Sequence, residues 1–399
     1  MILKGKNIVL GVTGGIAAYK AVEVASRLVQ GGAKVDVVMT PAAKEFVTPL
    51  TFQAITHRPV TCEMFTLLAE TEIGHVSLAQ RAELLIIAPL TANTLAKLAW
   101  GLADNMLTAT ALSTRAPLLL APAMETQMWE NPQTQENLAR LLARGAVVVG
   151  PEVGRLASGA FGAGRMAEPE EIVEAARAAL GREGPLAGRK VVITAGGTQE
   201  PLDPVRILTN RSSGRMGLAL ARAARDAGAQ TTLIHAPMAL PIPWGMKAVP
   251  VISAQEMCEA VLDALDGGAE VLVMAAAVAD YRPAHTSAQK IKKEAGEMTL
   301  HLERTPDILA TVAERRERWP ALKLVTGFAA DTEDLVENAL QKLRRKNLDL
   351  IVANDPRQAI GAEASTVIFI DREGRAQEMK DMPKEEVAEA VIERMIALL

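Results

Sequence analysis

The stretch Asn7-Ile-Val-Leu-Gly-Val-Thr-Gly-Gly15 decides the fold of the first half of this chain. Its mostly apolar run predicts a buried strand over Asn7–Val12, and the Gly14-Gly15 pair turns the chain. A helix is expected from about Ile16 to Val29, stopped by Gly31-Gly32, with a second strand at Lys34–Met39. Further strand candidates are Leu84–Ala88, Leu118–Ala121 and Val147–Val149. Helical patterns at Ala92–Ala99, Asn105–Leu112 and Gln133–Arg144 separate them. Strands alternating with helices imply a parallel, doubly wound sheet.

The same opening recurs later. Lys190–Thr194 is a strand candidate, Gly196-Gly197 turns the chain, and Gly214–Gly228 follows as a helix. Strands near Thr231–His235, Val271–Ala275, Leu324–Phe328, Leu350–Ala353 and Val367–Asp371 continue the alternation, and a helix from about Lys384 to Leu399 closes it. Between the halves, residues 181–189 read Gly-Arg-Glu-Gly-Pro-Leu-Ala-Gly-Arg, a linker composition. Two α/β domains are therefore expected, 1–184 and 185–399, which suits a length of 399 residues at roughly 150 per domain. The polar stretch Tyr281–Glu297 has neither period and is expected to be a loop or a hairpin.

Composition narrows the function classes. With 49% hydrophobic and 23% charged residues, the chain is an ordinary globular protein rather than a disordered one. Lys+Arg 43 against Asp+Glu 47 gives a net charge of −4, so no global basic field favours nucleic acid. Two cysteines, Cys62 and Cys258, are too few for a disulfide framework or a four-cysteine metal site. Apolar runs such as Val271–Ala279 fall short of a membrane span, and the N-terminal run is too short for a signal peptide. A soluble, cytoplasmic protein is expected.

Glycines at 11, 14 and 15, after a strand and before a helix, suit a phosphate cradle, because helix-terminal N–H groups favour an anion. The same turn also occurs in α/β proteins that bind nothing there. More specific strings follow: His75-Val-Ser-Leu78, Ala88-Pro-Leu-Thr-Ala-Asn-Thr-Leu-Ala-Lys97, Gly101-Leu-Ala-Asp-Asn105 and Ala121-Pro-Ala-Met124. In this order they resemble the flavin-dependent cysteine decarboxylase family over about residues 5–180. The resemblance implies a flavodoxin-like fold, a trimer, and FMN held by Gly14, Gly15, Thr40, Thr91, Asn93, Thr94 and Met124. It also implies His75 as the base that assists decarboxylation. The sequence departs from the family twice: Glu125 follows Pro-Ala-Met in place of Asn, and Ser158 stands in the flap in place of Cys. A hydroxyl is a far weaker acid than a thiol, so Glu125 is the expected proton donor.

In the second half the strings are denser. They are Thr194-Ala-Gly-Gly-Thr-Gln-Glu-Pro-Leu-Asp-Pro-Val-Arg206, Asn210-Arg-Ser-Ser-Gly-Arg-Met-Gly217, Ala275-Ala-Ala-Val-Ala-Asp280 and Lys290-Ile-Lys-Lys293. Thr305-Pro-Asp-Ile-Leu309, Gly327-Phe-Ala329 and Asn354-Asp355 complete them. Together they resemble the phosphopantothenate–cysteine ligase family over residues 190–399. Amide formation needs an activated carboxylate, which CTP supplies as an acyl-cytidylate, with magnesium on the phosphates. By resemblance, Asn210 grips the substrate carboxylate or its cytidylate and Lys290 stabilises charge in the transition state. The implied CTP positions are Met274, Ala275, Ala276, Asp280, Lys290, Pro306, Asp307, Ile308, Leu309, Phe328, Lys342 and Lys346. Lys342 and Lys346 lie four apart on an expected helix, suiting a triphosphate clamp or a plain charge stripe. Gly214 and Gly217 are expected to admit a phosphate at a helix start.

The two halves imply consecutive steps of coenzyme A biosynthesis: 4′-phosphopantothenate, cysteine and CTP are condensed, and the product is decarboxylated to 4′-phosphopantetheine. A homo-oligomer is expected, trimeric through the first half and dimeric through the second, which would build a dodecamer. The competing reading is an active ligase whose flavin-binding half is impaired or regulatory.

Overall fold

A computed structural model describes residues 2–64, 74–292, 297–330, 334–354 and 364–399. The chain forms two compact units, Met1–Gly181 and Arg182–Leu399, dividing a few residues ahead of the expected boundary.

The first unit is built on a five-stranded parallel sheet. Its strands lie in the order Lys34–Met39, Asn7–Val12, Leu84–Leu90, Leu118–Pro122, Val147–Val148. Every residue of Leu84–Leu90 is buried, as expected of a parallel strand covered on both faces. The Ala18–Gln30 helix buries Ala18, Ala21, Val24, Ala25 and Leu28, a single stripe at helical spacing. It begins two residues later than the sequence pattern suggests, because Gly15–Ala17 form a turn closed by the Ala18 N–H on the Gly15 carbonyl at 2.9 Å. Strand order reverses between Asn7–Val12 and Leu84–Leu90. Chains leaving these two strands diverge to opposite faces, and a crevice opens at their carboxyl ends.

The second unit contains an eight-stranded sheet. Its order is Lys247–Pro250, Gln230–His235, Lys190–Ala195, Val271–Met274, Leu324–Ala330, Leu350–Asn354, Ala364–Asp371, Ala376–Pro383. The first six strands are parallel and the last two antiparallel. In chain order the parallel set runs 3-2-1-4-5-6, the Rossmann arrangement, with its reversal between Lys190–Ala195 and Val271–Met274. The expected loop or hairpin after Tyr281 is a hairpin: Tyr281–Pro283 pairs antiparallel with Leu302–Arg304.

One expectation is corrected. The stretch 181–189 is not a free linker, because Leu186 is fully buried in the core of the second unit. Its N–H donates to the Ala227 carbonyl at 2.8 Å, at the end of the Arg215–Asp226 helix. Glycine and proline here shape turns that deliver one apolar anchor. Leu186→Ala is expected to cost about 2–5 kcal/mol, the range for truncating a buried leucine. Urea unfolding of the full chain checks this; a shift no larger than that of Arg182→Ala would restore the linker reading.

Candidate functional sites at two strand-order reversals

Both crevices are held by a buried threonine. In the first unit Thr13 is fully buried at the end of the first strand. Its hydroxyl donates to the Pro89 carbonyl at 2.7 Å and accepts the Thr91 N–H at 3.2 Å. The reversal is thereby bridged, and Thr91 is fixed as the cap of the Ala92–Trp100 helix, accepting the Thr94 N–H at 3.5 Å. A Cβ on Gly14 would meet the Ala42 carbonyl carbon at 2.7 Å, so only glycine fits.

An unmatched hydroxyl faces this region. The Ala18–Gln30 helix has Ala17 at its cap and no side-chain capping bond, and its Ala18 and Lys20 N–H groups turn back onto the Gly15 and Ala17 carbonyls at 2.9 and 3.0 Å. Thr40, at the carboxyl end of the second strand, is 7% exposed and its hydroxyl has no partner. A glycine turn ahead of a helix start, with a spare hydroxyl beside it, suits an anion such as a phosphate. Thr94 is buried beside it, while Asn93 is exposed.

The remaining candidates of this unit divide into two places. Met124 follows the fourth strand, and its N–H donates to the Gly164 carbonyl at 3.0 Å. Gly164 belongs to an antiparallel flap, Glu152–Arg155 with Phe161–Arg165. A Cβ on Gly164 would lie 2.1 Å from the Met124 carbonyl oxygen. Half-buried Glu125 therefore stands at the base of the flap, and its side chain makes no capping bond to the helix it precedes. Ser158 is exposed at the flap tip, where its hydroxyl accepts the Ala160 N–H at 3.3 Å. His75 is half-buried in the first turn of Gly74–Arg81. That helix leads into Leu84–Leu90, so its start lies on the carboxyl side of the sheet.

The second unit repeats the device. Buried Thr194 accepts the N–H groups of Ala275 and Ala276, both at 3.1 Å, and its own hydroxyl faces the Met274 sulfur at 3.8 Å. Above this bridge lies a cavity of about 1020 Å³. Asn210, Met274, Ala275, Ala276 and Asp280 line one side; Pro306, Asp307, Ile308 and Leu309 line another, with Phe328, Lys342 and Lys346. Asn210 is oriented by its amide, which donates to the Val278 carbonyl at 3.0 Å. Lys342 donates to the Phe328 carbonyl at 2.7 Å.

Asp307 caps the Ile308–Glu314 helix through the Ala310 N–H at 3.0 Å and also receives the Lys346 ammonium. Burial works against its charge, but Lys346 and the Ala310 N–H outweigh that and hold the carboxyl below its ordinary range. Lys346 is the cap that follows the Leu335–Arg345 helix; its N–H donates to the Lys342 carbonyl at 2.9 Å, and both lysines line the cavity. Gly217 lines the cavity, and its glycine also permits helix–strand packing, since a Cβ there would meet the Ala195 Cβ at 2.5 Å. Gly214, at φ +73°, takes the left-handed turn before that helix.

Lys290 is exposed and is not among the residues lining this cavity. Its loop is tied down instead by the Ile291 N–H on Asp203 at 3.1 Å. Lys293 and Asp355 lie outside the described residues. Thr13, Thr194, Ser365 and Lys384 were not singled out from sequence. The two threonines had a signal, since each precedes a glycine turn after the first strand of its half. Among the described residues the cavity is lined by seven basic side chains, Arg211, Arg215, Arg304, Lys342, Arg345, Lys346 and Lys384, against the carboxylates of Asp280 and Asp307. It is built for a polyanion.

A flavodoxin-ordered unit with a phosphate cradle and a Rossmann-ordered unit with a cationic cavity define a two-site enzyme. A family model described as flavoprotein matches residues 2–181, and one described as the C-terminal domain of the DNA/pantothenate metabolism flavoprotein matches residues 186–399. The coenzyme A biosynthesis bifunctional protein CoaBC of Vibrio cholerae is 48% identical over 355 residues, covering 88% of each chain. Its counterpart in Bacillus subtilis is 43% identical over 403 residues, 100% of this chain and 98% of the other. A crystal structure of the C-terminal domain of such a protein is 38% identical over 54% of this chain and 98% of its own, with a TM-score of 0.46. The chain belongs to the family of coenzyme A biosynthesis bifunctional proteins, which joins a flavoprotein decarboxylase to a ligase. Among the described residues no helix is long and apolar enough to cross a membrane.

Thr194→Val is expected to cost about 1–3 kcal/mol, because it strands two N–H groups. Thr326→Val, which removes a buried hydroxyl with no partner, should be neutral or stabilising. Thermal denaturation of the two variants separates them; equal losses would mean the Thr194 bridge contributes nothing beyond packing.

Proposed function

We propose that the second unit condenses 4′-phosphopantothenate with cysteine through an acyl-cytidylate made from CTP, and that the first unit decarboxylates the product with FMN. The single observation that carries the ligase assignment is the cationic cavity set on the Thr194 bridge. Fixed cations with their own partners do not have to reorganise when charge builds at the α-phosphate. Asn210, already oriented by Val278, presents its remaining amide groups to the substrate carboxylate. Among the described residues no group of three or more His, Cys, Asp or Glu could hold a metal, so a magnesium ion would rest on the phosphates.

In the first unit, Gly14, Gly15, Thr40, Thr91, Asn93, Thr94 and Met124 would hold the FMN. The chemistry it would supply is a reversible two-electron oxidation of the acylcysteine thiol, which gives the electrons of the departing carboxylate a sink. His75 acts as the base. Glu125, at the flap base and without a capping bond, delivers the proton that restores the saturated product. Ser158, exposed at the flap tip and engaged with Ala160, contributes less.

Apolar residues left exposed support the oligomer. In the first unit they include Ile16, Tyr19 and Leu112; in the second, Val205, Ile207, Tyr281 and Leu302. The second set lies on or beside the small hairpins, near the loop that carries Lys290. Lys290 lies outside the cavity of its own chain, so we assign it to the cavity of a second copy in a two-fold dimer.

Two experiments test these roles. Lys290→Gln should slow pyrophosphate release about 10²–10³-fold, the usual loss for one preorganised charge-stabilising group. Co-expressed with the equally inactive Asn210→Asp, it should recover about one quarter of the wild-type rate, the statistical share for a two-fold dimer. No recovery would place Lys290 in the site of its own chain, and a loss under roughly threefold in Lys290→Gln would return it to the reading of a solvated basic loop. Glu125→Gln should stay yellow and release CO₂ while accumulating an oxidised, unsaturated thiol; saturated product at the wild-type rate would assign the proton elsewhere.

A further inference from the structure

A small hairpin of the second unit holds more than its own turn. Gln199–Pro201 pairs antiparallel with Ile207–Thr209, and residues 202–206 join the two strands. Asp203 stands in that connection and is only 2% exposed. A buried carboxylate is costly unless its oxygens find donors. Four donors reach this one. Oδ1 accepts the Val205 and Arg206 N–H groups, each at 2.8 Å. Oδ2 accepts the Arg206 guanidinium at 2.9 Å and the Ile291 N–H at 3.1 Å.

The two oxygens have different tasks. Oδ1, with the Leu202 N–H on the Arg206 carbonyl at 2.9 Å, closes the turn. Oδ2 reaches a segment 88 residues further along the chain. The guanidinium it holds donates onward to the Ile291 carbonyl at 3.1 Å, so both backbone groups of Ile291 are fixed from one carboxylate. Two more bonds lay the same segment against the hairpin. The Ser287 N–H donates to the Leu202 carbonyl at 2.9 Å, and the Thr286 hydroxyl donates to the Pro201 carbonyl at 3.0 Å. Lys290 lies between these anchors with its side chain exposed. At the other end of the hairpin, Asn210 follows the second strand directly and lines the cavity. One hairpin thus carries a cavity residue at its root and holds the Lys290 loop at its tip. A lysine charge sits on a flexible four-carbon stem, so its aim depends on how firmly its backbone is held.

We propose that Asp203 is a positioning residue of the ligase reaction: through Arg206 and Ile291 it fixes the loop from which Lys290 reaches the reacting phosphate. This rests on the reading of Lys290 as the cation of the transition state. It holds whether the cavity that Lys290 serves is that of its own chain or of a second copy.

The test uses Asp203→Asn in the full chain. Asparagine keeps one oxygen for the Val205 and Arg206 N–H groups, so the turn survives, but it turns an amide donor toward the Arg206 guanidinium and the Ile291 N–H. The kcat for pyrophosphate release should fall about 10–10²-fold, the cost of misplacing a catalytic group by about 1 Å. The KM values for CTP, the phosphorylated acid and cysteine should stay within about twofold, because Lys290 acts on charge that develops after binding. In a Lys290→Gln background, Asp203→Asn should slow the enzyme by less than about twofold further, since residues acting as one unit are not additive. Hydrogen exchange at the Ile291 amide should quicken. Exposed Thr286→Val loosens the same loop without touching the buried carboxylate, and should lower kcat about threefold, as for one neutral hydrogen bond.

Losses that multiply in the double variant would make Asp203 a merely structural residue and overturn the proposal. Exchange at Ile291 as slow as in the wild type, or a raised KM with unchanged kcat, would overturn it as well. A wild-type kcat in Thr286→Val would count against it in the same way, even if Asp203→Asn failed to fold. A different result separates the underlying reading. Lys290→Gln within about threefold of wild type, with Ile291 exchange still quickened by Asp203→Asn, would sink the catalytic role of Lys290 and leave Asp203 a loop anchor alone.

Discussion

A threonine hydroxyl bonded across a strand-order reversal is the constraint on which both functional regions depend. At such a point the chains leaving neighbouring strands part to opposite faces, and their first peptide groups lose sheet partners. A hydroxyl can both donate and accept, so one side chain can close the gap. Thr13 does so with Pro89 and Thr91, and Thr194 with Ala275 and Ala276. Both are fully buried, where an unpaired partner would be costly. The bridges hold the crevice open at a fixed width while aiming the following loops into it.

What is built above the two bridges differs in electrostatics. The first unit offers a glycine turn at a helix start and the spare Thr40 hydroxyl, a nearly neutral cradle. That suits a phosphate fixed for binding only, as proposed for a flavin. The second unit surrounds its cavity with cations, although the whole chain carries −4. Net charge is a poor guide to such a site, because screening limits each charge to about 8–10 Å in physiological salt.

Much of this was legible in the sequence, for a physical reason. Parallel strands buried on both faces read as apolar runs, so Leu84–Leu90 and Val271–Met274 could be located to within a residue or two. Helix limits moved where caps decide them, as at Asn105, whose side chain and Thr108 form a reciprocal pair before Met106–Ser113. The strand Ala376–Pro383 was not foreseen, because it lies at the sheet edge, carries mostly exposed residues and has no apolar alternation. Leu186 was misread because turn-forming neighbours outvoted a single apolar anchor. The strand orders themselves are tertiary and left no local trace.

The site residues follow the same division. Loops after the first and fourth strands of the ligase unit carry distinctive strings, since each must present backbone groups at close range. Ser365 and Lys384 come from the far end of the chain and join the cavity only because an antiparallel strand pair returns there. A serine and a lysine in ordinary surroundings carry no pattern to find. Even the recognised cations are not equivalent: Asp307 already engages Lys346, and the Phe328 carbonyl holds Lys342. Such partners reduce the attraction each lysine offers in the ground state, but they fix where its charge points. For a reaction whose charge develops late, a positioned cation stabilises the transition state more than a mobile one of equal charge. In the proposed ligase reaction, the pairing of these lysines would therefore serve catalysis rather than compete with it.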